Sequence, residues 1–96
     1  MTYLDRTAQA IKTRVPADLL PDEPRLDELF RLYALLARVK GTDVTAEDVH
    51  DAWSLWMLDG DGDHESIKPY SELDPSTRRE DQPFVEAIRA VAADQR

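Results

Sequence analysis

Between Pro24 and Gly41 the chain reads RLDELFRLYALLARVK, a run free of proline and glycine. Leu26, Leu29, Phe30, Tyr33 and Leu36 fall on one helical face, and Leu32, Leu35 and Val39 widen it. A stripe this broad predicts a helix at the centre of its domain, with apolar neighbours on more than one side. Asp22 and Glu23 stand before its positive end, and Arg38 and Lys40 lie near its negative end, as the helix dipole favours. Gly41 suits the turn that follows the helix.

The rest of the chain repeats that pattern in shorter pieces. In TYLDRTAQAIKTRV, Leu4, Ala8, Ile11 and Val15 recur at steps of four, three and four, which predicts a helix over 3–15. Thr2 can cap it, and Pro16 ends it. PADLLPDEP holds three prolines and reads as a connector, with Leu19 and Leu20 tucked toward the core. In TAEDVHDAWSLWMLDG, Thr45 is a good N-cap, Glu47 and Asp48 occupy the first turn, and Val49, Ala52, Trp53 and Trp56 form the apolar face. Gly60 or Gly62 ends that helix. In DQPFVEAIRAVAADQR, Asp81 can cap, Pro83 fits the first turn, and Phe84, Ile88 and Val91 form the stripe, extended by Val85 and Ala92. DPSTRRED adds a short helical turn with Asp74 as its cap. No run alternates as a strand would. The expectation is therefore an all-α fold: a small orthogonal or irregular bundle of four main helices, with a long connector before the last. Its 96 residues suit a single domain, 1–96.

Charge limits the partners. A net charge of −8 opposes binding to nucleic-acid phosphates and to anionic membranes. It suits a cationic partner or mimicry of nucleic acid, and by itself it keeps a small protein soluble. The chain has no cysteine, so disulfides, thiolate metal sites and cysteine nucleophiles are excluded. Its apolar runs fall far short of the roughly 20 residues that span a bilayer. Its N-terminus lacks the apolar core of a secretory signal, which makes the cytoplasm the expected compartment. Arginine outnumbers lysine nine to three, and alanine and aspartate are abundant, as in proteins of GC-rich bacteria or their phages.

The connector DGDGDHESIKPYSELDPSTRRED, residues 59–81, concentrates the unusual chemistry. Asp59, Asp61 and Asp63 match the opening of a calcium loop of the EF-hand type. That loop needs glycine at its sixth position and glutamate at its twelfth. Here those positions hold His64 and Tyr70, so the motif fails. His50 and His64 are the only histidines and lack the spacing of a zinc helix, and His50 reads as a helix-surface residue. Ser54, Ser66 and Ser76 sit in no activated context. No metal, cofactor or catalytic residue is expected.

The segment HESIKPYSELDPSTRREDQPFVEAI, with VHDAWSLW upstream, resembles the RyR domain, the small helical module of ryanodine receptors that also occurs in bacterial and phage proteins. The family's His-x-x-Trp element matches His50 and Trp53. Its loop histidine matches His64, its apolar position Ile67, and its Pro-Tyr and following leucine match Pro69, Tyr70 and Leu73. The charged turn matches Arg78 to Asp81, and the last helix Val85 and Ile88. The resemblance covers residues 47–92. It implies a non-enzymatic binding or interaction module, with nucleotide-like ligands among its candidates.

Two functions follow as expectations. The first is a protein-interaction module with an unidentified protein partner. The alternative is a sensor for a small, nucleotide-like ligand, with Trp53 and Trp56 for stacking and His64 and Tyr70 for polar contact. Against these roles, tryptophans three residues apart on one helix are commonly core, and His64, Pro69, Tyr70 and Leu73 read as a structural latch that pins the connector across two helices. Pro69 fixes its own φ and biases Lys68 to an extended conformation, which aims Tyr70 inward. The broad apolar face of the central helix also allows a homodimer.

Overall fold

Two helices begin in the same way. Thr2 accepts a hydrogen bond from the Asp5 amide at 3.2 Å, and the Asp5 carboxylate accepts one from the Thr2 amide at 2.9 Å. Thr45 and Asp48 repeat this reciprocal box with the same two distances. The computed structural model describes residues 1–95, in which α1 (Tyr3–Arg14), α2 (Leu26–Val39), α3 (Ala46–Leu58) and α5 (Gln82–Asp94) are the main helices. A short α4 (Pro75–Arg79) precedes α5, and single 3-10 turns occupy Ala17–Leu19, Gly41–Asp43 and Tyr70–Glu72. Among the described residues there is no strand, and the fold is a small all-α bundle, as the periodicity predicts. Asp74 caps α4 by accepting from the Thr77 amide at 2.8 Å, and that bond holds its carboxyl down at about 2.

The centre is α2, which packs against α1, α3 and α5. α1 runs antiparallel to it, with Asp5 beside Arg31 at 2.8 Å and Lys12 beside Asp27 at 3.7 Å. Gly41, at φ +60°, takes the left-handed position after the helix that L side chains rarely adopt. The chain then turns back into α3, and Lys40 pairs with Asp48 at 3.0 Å across the turn. α5 closes the bundle. Its Ile88 is fully buried with Ile11, Leu29 and Val49 in one core, and Arg89 donates to the Val44 carbonyl at 2.7 Å.

A second tie joins the opposite ends of α2 and α3. The Trp56 indole N–H donates to the Arg25 carbonyl at 2.8 Å, and the Arg25 guanidinium returns a bond to the Trp56 carbonyl at 3.2 Å. That guanidinium also lies 5.5 Å from the centre of the indole ring. A cation here sits at the negative end of α3, where the last carbonyls lack helical partners.

Four sequence expectations are corrected. Leu35 and Val39 do not meet a neighbouring helix, because α1, α3 and α5 cover the opposite faces of α2; they are 50% and 71% exposed. Leu19 lies on the surface while Leu20 packs on the core, since the 3-10 turn points the two leucines apart. His50 is not a helix-surface residue but is 3% exposed. Asp81 does not cap α5: its backbone is helical (φ −80°, ψ −18°), whereas a capping side chain needs the extended region.

Candidate functional site

His50 and Trp53 stand one helical turn apart on α3, beside the face that carries Val49 and Trp56 into the core. Their rings stack at 5.8 Å with an interplanar angle of 23°. From the connector, His64 meets the half-buried Trp53 edge-on at 5.1 Å and 84°. The His64 ring is fixed locally, its Nδ1 accepting from the Ser66 amide at 3.0 Å.

These rings form one wall of a cleft of about 600 Å³. Tyr33 of α2 and Phe84 of α5 face it from the core side, 5.7 Å apart and tilted by 47°. Asp18, Leu19 and Pro21 close one rim, and Ser76, Thr77, Arg79 and Glu80 the other. Asp81 lies half-buried at the junction of α4 and α5. The helical backbone that stops Asp81 from capping is what turns its carboxylate to the cleft.

Burial dominates the electrostatics. It pushes the Asp81 carboxyl up to about 6; a charged His50 opposes the shift and Glu80 adds to it. Burial, with the charge of Asp81 adding, raises the Tyr33 phenol well above its ordinary range. Tyr33 is 2% exposed, and its hydroxyl makes no hydrogen bond to a described residue.

The raised Asp81 value has a sign that can be checked. Folding favours the protonated form, so ionisation destabilises the fold as pH rises from about 4 to about 6. Replacing Asp81 by Asn removes that cost. After allowance for solvent screening, D81N is expected to gain about 1–2 kcal/mol at pH 8, or several degrees in Tm, and almost nothing at pH 4. Thermal melts of the two proteins at both pH values check it.

The four residues expected to meet a ligand separate into three places. Trp53 and His64 line the cleft. Trp56 is buried at 4% exposure behind them, its N–H taken by Arg25. Tyr70 borders a different, open groove with Ile67, Lys68 and Pro69. The Tyr70 ring lies 6.2 Å from His50, and the Arg78 guanidinium covers it at 5.3 Å while donating to the Ser71 carbonyl at 2.7 Å. Leu73, four per cent exposed, is the apolar anchor of this segment. The bond that ties the connector to α3 comes from His50, whose Nε2 lies 2.7 Å from the Lys68 carbonyl. A carbonyl only accepts, so Nε2 carries the proton.

Tyr33, Asp81 and Phe84 were not foreseen as cleft residues. Periodicity places Tyr33 and Phe84 in the core, and the sequence Asp-Gln-Pro looks like a cap. Only the run of α4 into α5 reveals otherwise. Among the described residues no group of three or more His, Asp or Glu side chains is placed to hold a metal ion.

Fold and cleft together define a small all-α domain with an aromatic, acid-edged cleft. The chain belongs to the family described as Domain of unknown function (DUF7701), whose model matches residues 2–93. The match takes in the N-terminal helices as well as the motif region. No curated protein and no solved structure matches the chain. No helix among the described residues is long and apolar enough to cross a membrane.

Proposed function

We propose that the chain is a non-enzymatic binding module that takes a small aromatic or heterocyclic ligand in the cleft beside Trp53. The observation that carries this reading is the cleft itself. Its volume of about 600 Å³ lies in the range of small-molecule sites, and aromatic rings from three helices and the connector converge on it with a few polar groups. The RyR-like motif enters the proposal as a wall: His64 sits against Trp53, and the Pro69–Tyr70–Leu73 segment is held to α3 by His50. A flat ligand stacked on Trp53 would gain roughly 1–3 kcal/mol per ring.

The two tryptophans make the test selective. In a proton–nitrogen correlation spectrum each gives one indole signal. A fragment library of aromatic amines, alcohols, acids and nucleosides is expected to contain compounds that move the Trp53 signal and leave that of Trp56 in place. A library that moves neither, or moves both only on unfolding, rejects the reading.

A second reading, a protein-interaction module that includes a homodimer among its forms, is favoured by a different observation. Leu35 and Val39 of α2 and Leu55 and Leu58 of α3 are each half exposed or more, on a chain otherwise dense in charge. Light scattering across a concentration series tests the homodimer: a mass near 11.0 kDa at all concentrations excludes it.

A further inference from the structure

We propose that the cleft recognises an organic cation, a protonated amine or related onium group carried on an aromatic or apolar body. The inference rests on the small-ligand reading above and names the chemistry of that ligand.

The charges around the cleft are unequal. Asp81 lies half-buried in it, with Glu80 and Asp18 at the rims, against the guanidinium of the exposed Arg79 and the imidazoles of His50 and His64, neither of which forms an ion pair with Asp81. Asp81 forms no ion pair and accepts no side-chain hydrogen bond from a described residue. A carboxylate withdrawn from water without a cation is costly, and buried charges are ordinarily paired. The neighbouring Tyr33 gives an independent sign. It is buried, its hydroxyl has no partner among the described residues, and it opens on the same cleft. The oxygen itself is not sealed off, so it offers the cleft a hydrogen-bonding position that no described residue takes. An ammonium in the cleft would donate to the Asp81 carboxylate, and the Tyr33 hydroxyl offers an acceptor on the same cleft.

The aromatic surfaces agree. Trp53, Tyr33 and Phe84 present π-faces or edges to the cleft, and a cation over such a ring is attracted by its quadrupole, most strongly by tryptophan. An anion finds the opposite. The start of α5 is a poor phosphate cradle, since Pro83 has no N–H and the amides of Phe84 and Val85 already donate to the Asp81 carbonyl at 3.1 Å. A phosphate would also meet the Asp81 and Glu80 carboxylates. Nucleotides therefore fit less well than amines with the same kind of ring.

Three probes with one body and different charge decide the matter: phenethylamine, 2-phenylethanol and 3-phenylpropionate, titrated at pH 7.5 against the Trp53 indole signal, with the Trp56 signal as an internal reference. The amine is expected to bind at least tenfold more tightly than the alcohol, and the propionate most weakly. In D81N the amine should fall to the affinity of the alcohol, while the alcohol changes little. E80Q, at the exposed rim, should weaken the amine by less than threefold. Both variants keep a folded spectrum if the comparison is to count, and Asn at 81 removes a buried charge, so folding is favoured. Equal or tighter binding of the propionate, or an amine affinity unchanged in D81N, overturns the cationic inference and leaves the small-ligand reading standing. A Trp53 signal that responds to none of the three, nor to any compound of the wider library, overturns both.

Discussion

Trp56→Ala is expected to destabilise the protein by about 3–5 kcal/mol, the loss typical of a large aromatic removed from a packed core. Domains of this length have only about 5–15 kcal/mol in total, so the variant should be partly unfolded at moderate temperature. The site explains the size of the effect. Trp56 is buried among core residues of α2 and α3, its N–H is satisfied by Arg25, and the Arg25 guanidinium covers its ring while binding the end of α3. One substitution therefore removes packing, a hydrogen bond and a capping cation's anchor. Trp56→Phe separates these. The Arg25 carbonyl keeps its bonds from the Glu28 and Leu29 amides, so the loss there should be only about 1–2 kcal/mol. Urea denaturation of the three proteins measures both differences. A Trp56→Ala loss under 1 kcal/mol would contradict the buried placement.

His50→Ala should cost about 2–3 kcal/mol, and its effect should be local as well as global. The imidazole is stacked on Trp53, tilted against Tyr70 and bonded to the Lys68 carbonyl, so it is the joint through which the connector rests on α3. Without it, hydrogen exchange at the amides of Ile67 and Leu73 is expected to quicken by more than the global loss accounts for. Their acceptors, His64 and Tyr70, lie inside the released segment. The Trp53 indole signal should shift too, whereas amides in the middle of α1 should follow global stability alone. If connector and α1 amides accelerated equally, the local role of His50 would be refuted.

Helix positions were legible because apolar periodicity, caps and breakers agree. Thr2, Thr45, Asp74 and Gly41 each sit where their backbone chemistry predicts. The cleft was legible only in part. Trp53 and His64 were found, but through motif likeness and not through geometry. His50 was misread because a polar residue one position from an apolar stripe is usually solvated. Only the return of the connector over α3 buries it. Asp81 was misread because Asp before Gln-Pro fits a helix start, and whether α4 runs into α5 depends on backbone angles that local composition does not determine. Leu35 and Val39 show the converse limit. Periodicity reports which residues could be covered, while the number of neighbouring helices decides which ones are.

The pairing of α1 with α5 carries a consequence for biosynthesis. Arg14 and Asp94 meet although 80 residues separate them, and Thr7 is bonded to Gln95 at 3.0 Å. Ile11 and Phe30 share their core with Ile88 and Val91, so the earlier helices leave the ribosome with an apolar seam that nothing yet fills. Closure awaits α5, made about 70 residues after α1. In the interval before it arrives, the nascent chain is open to chaperones, proteases and its own neighbours on the polysome.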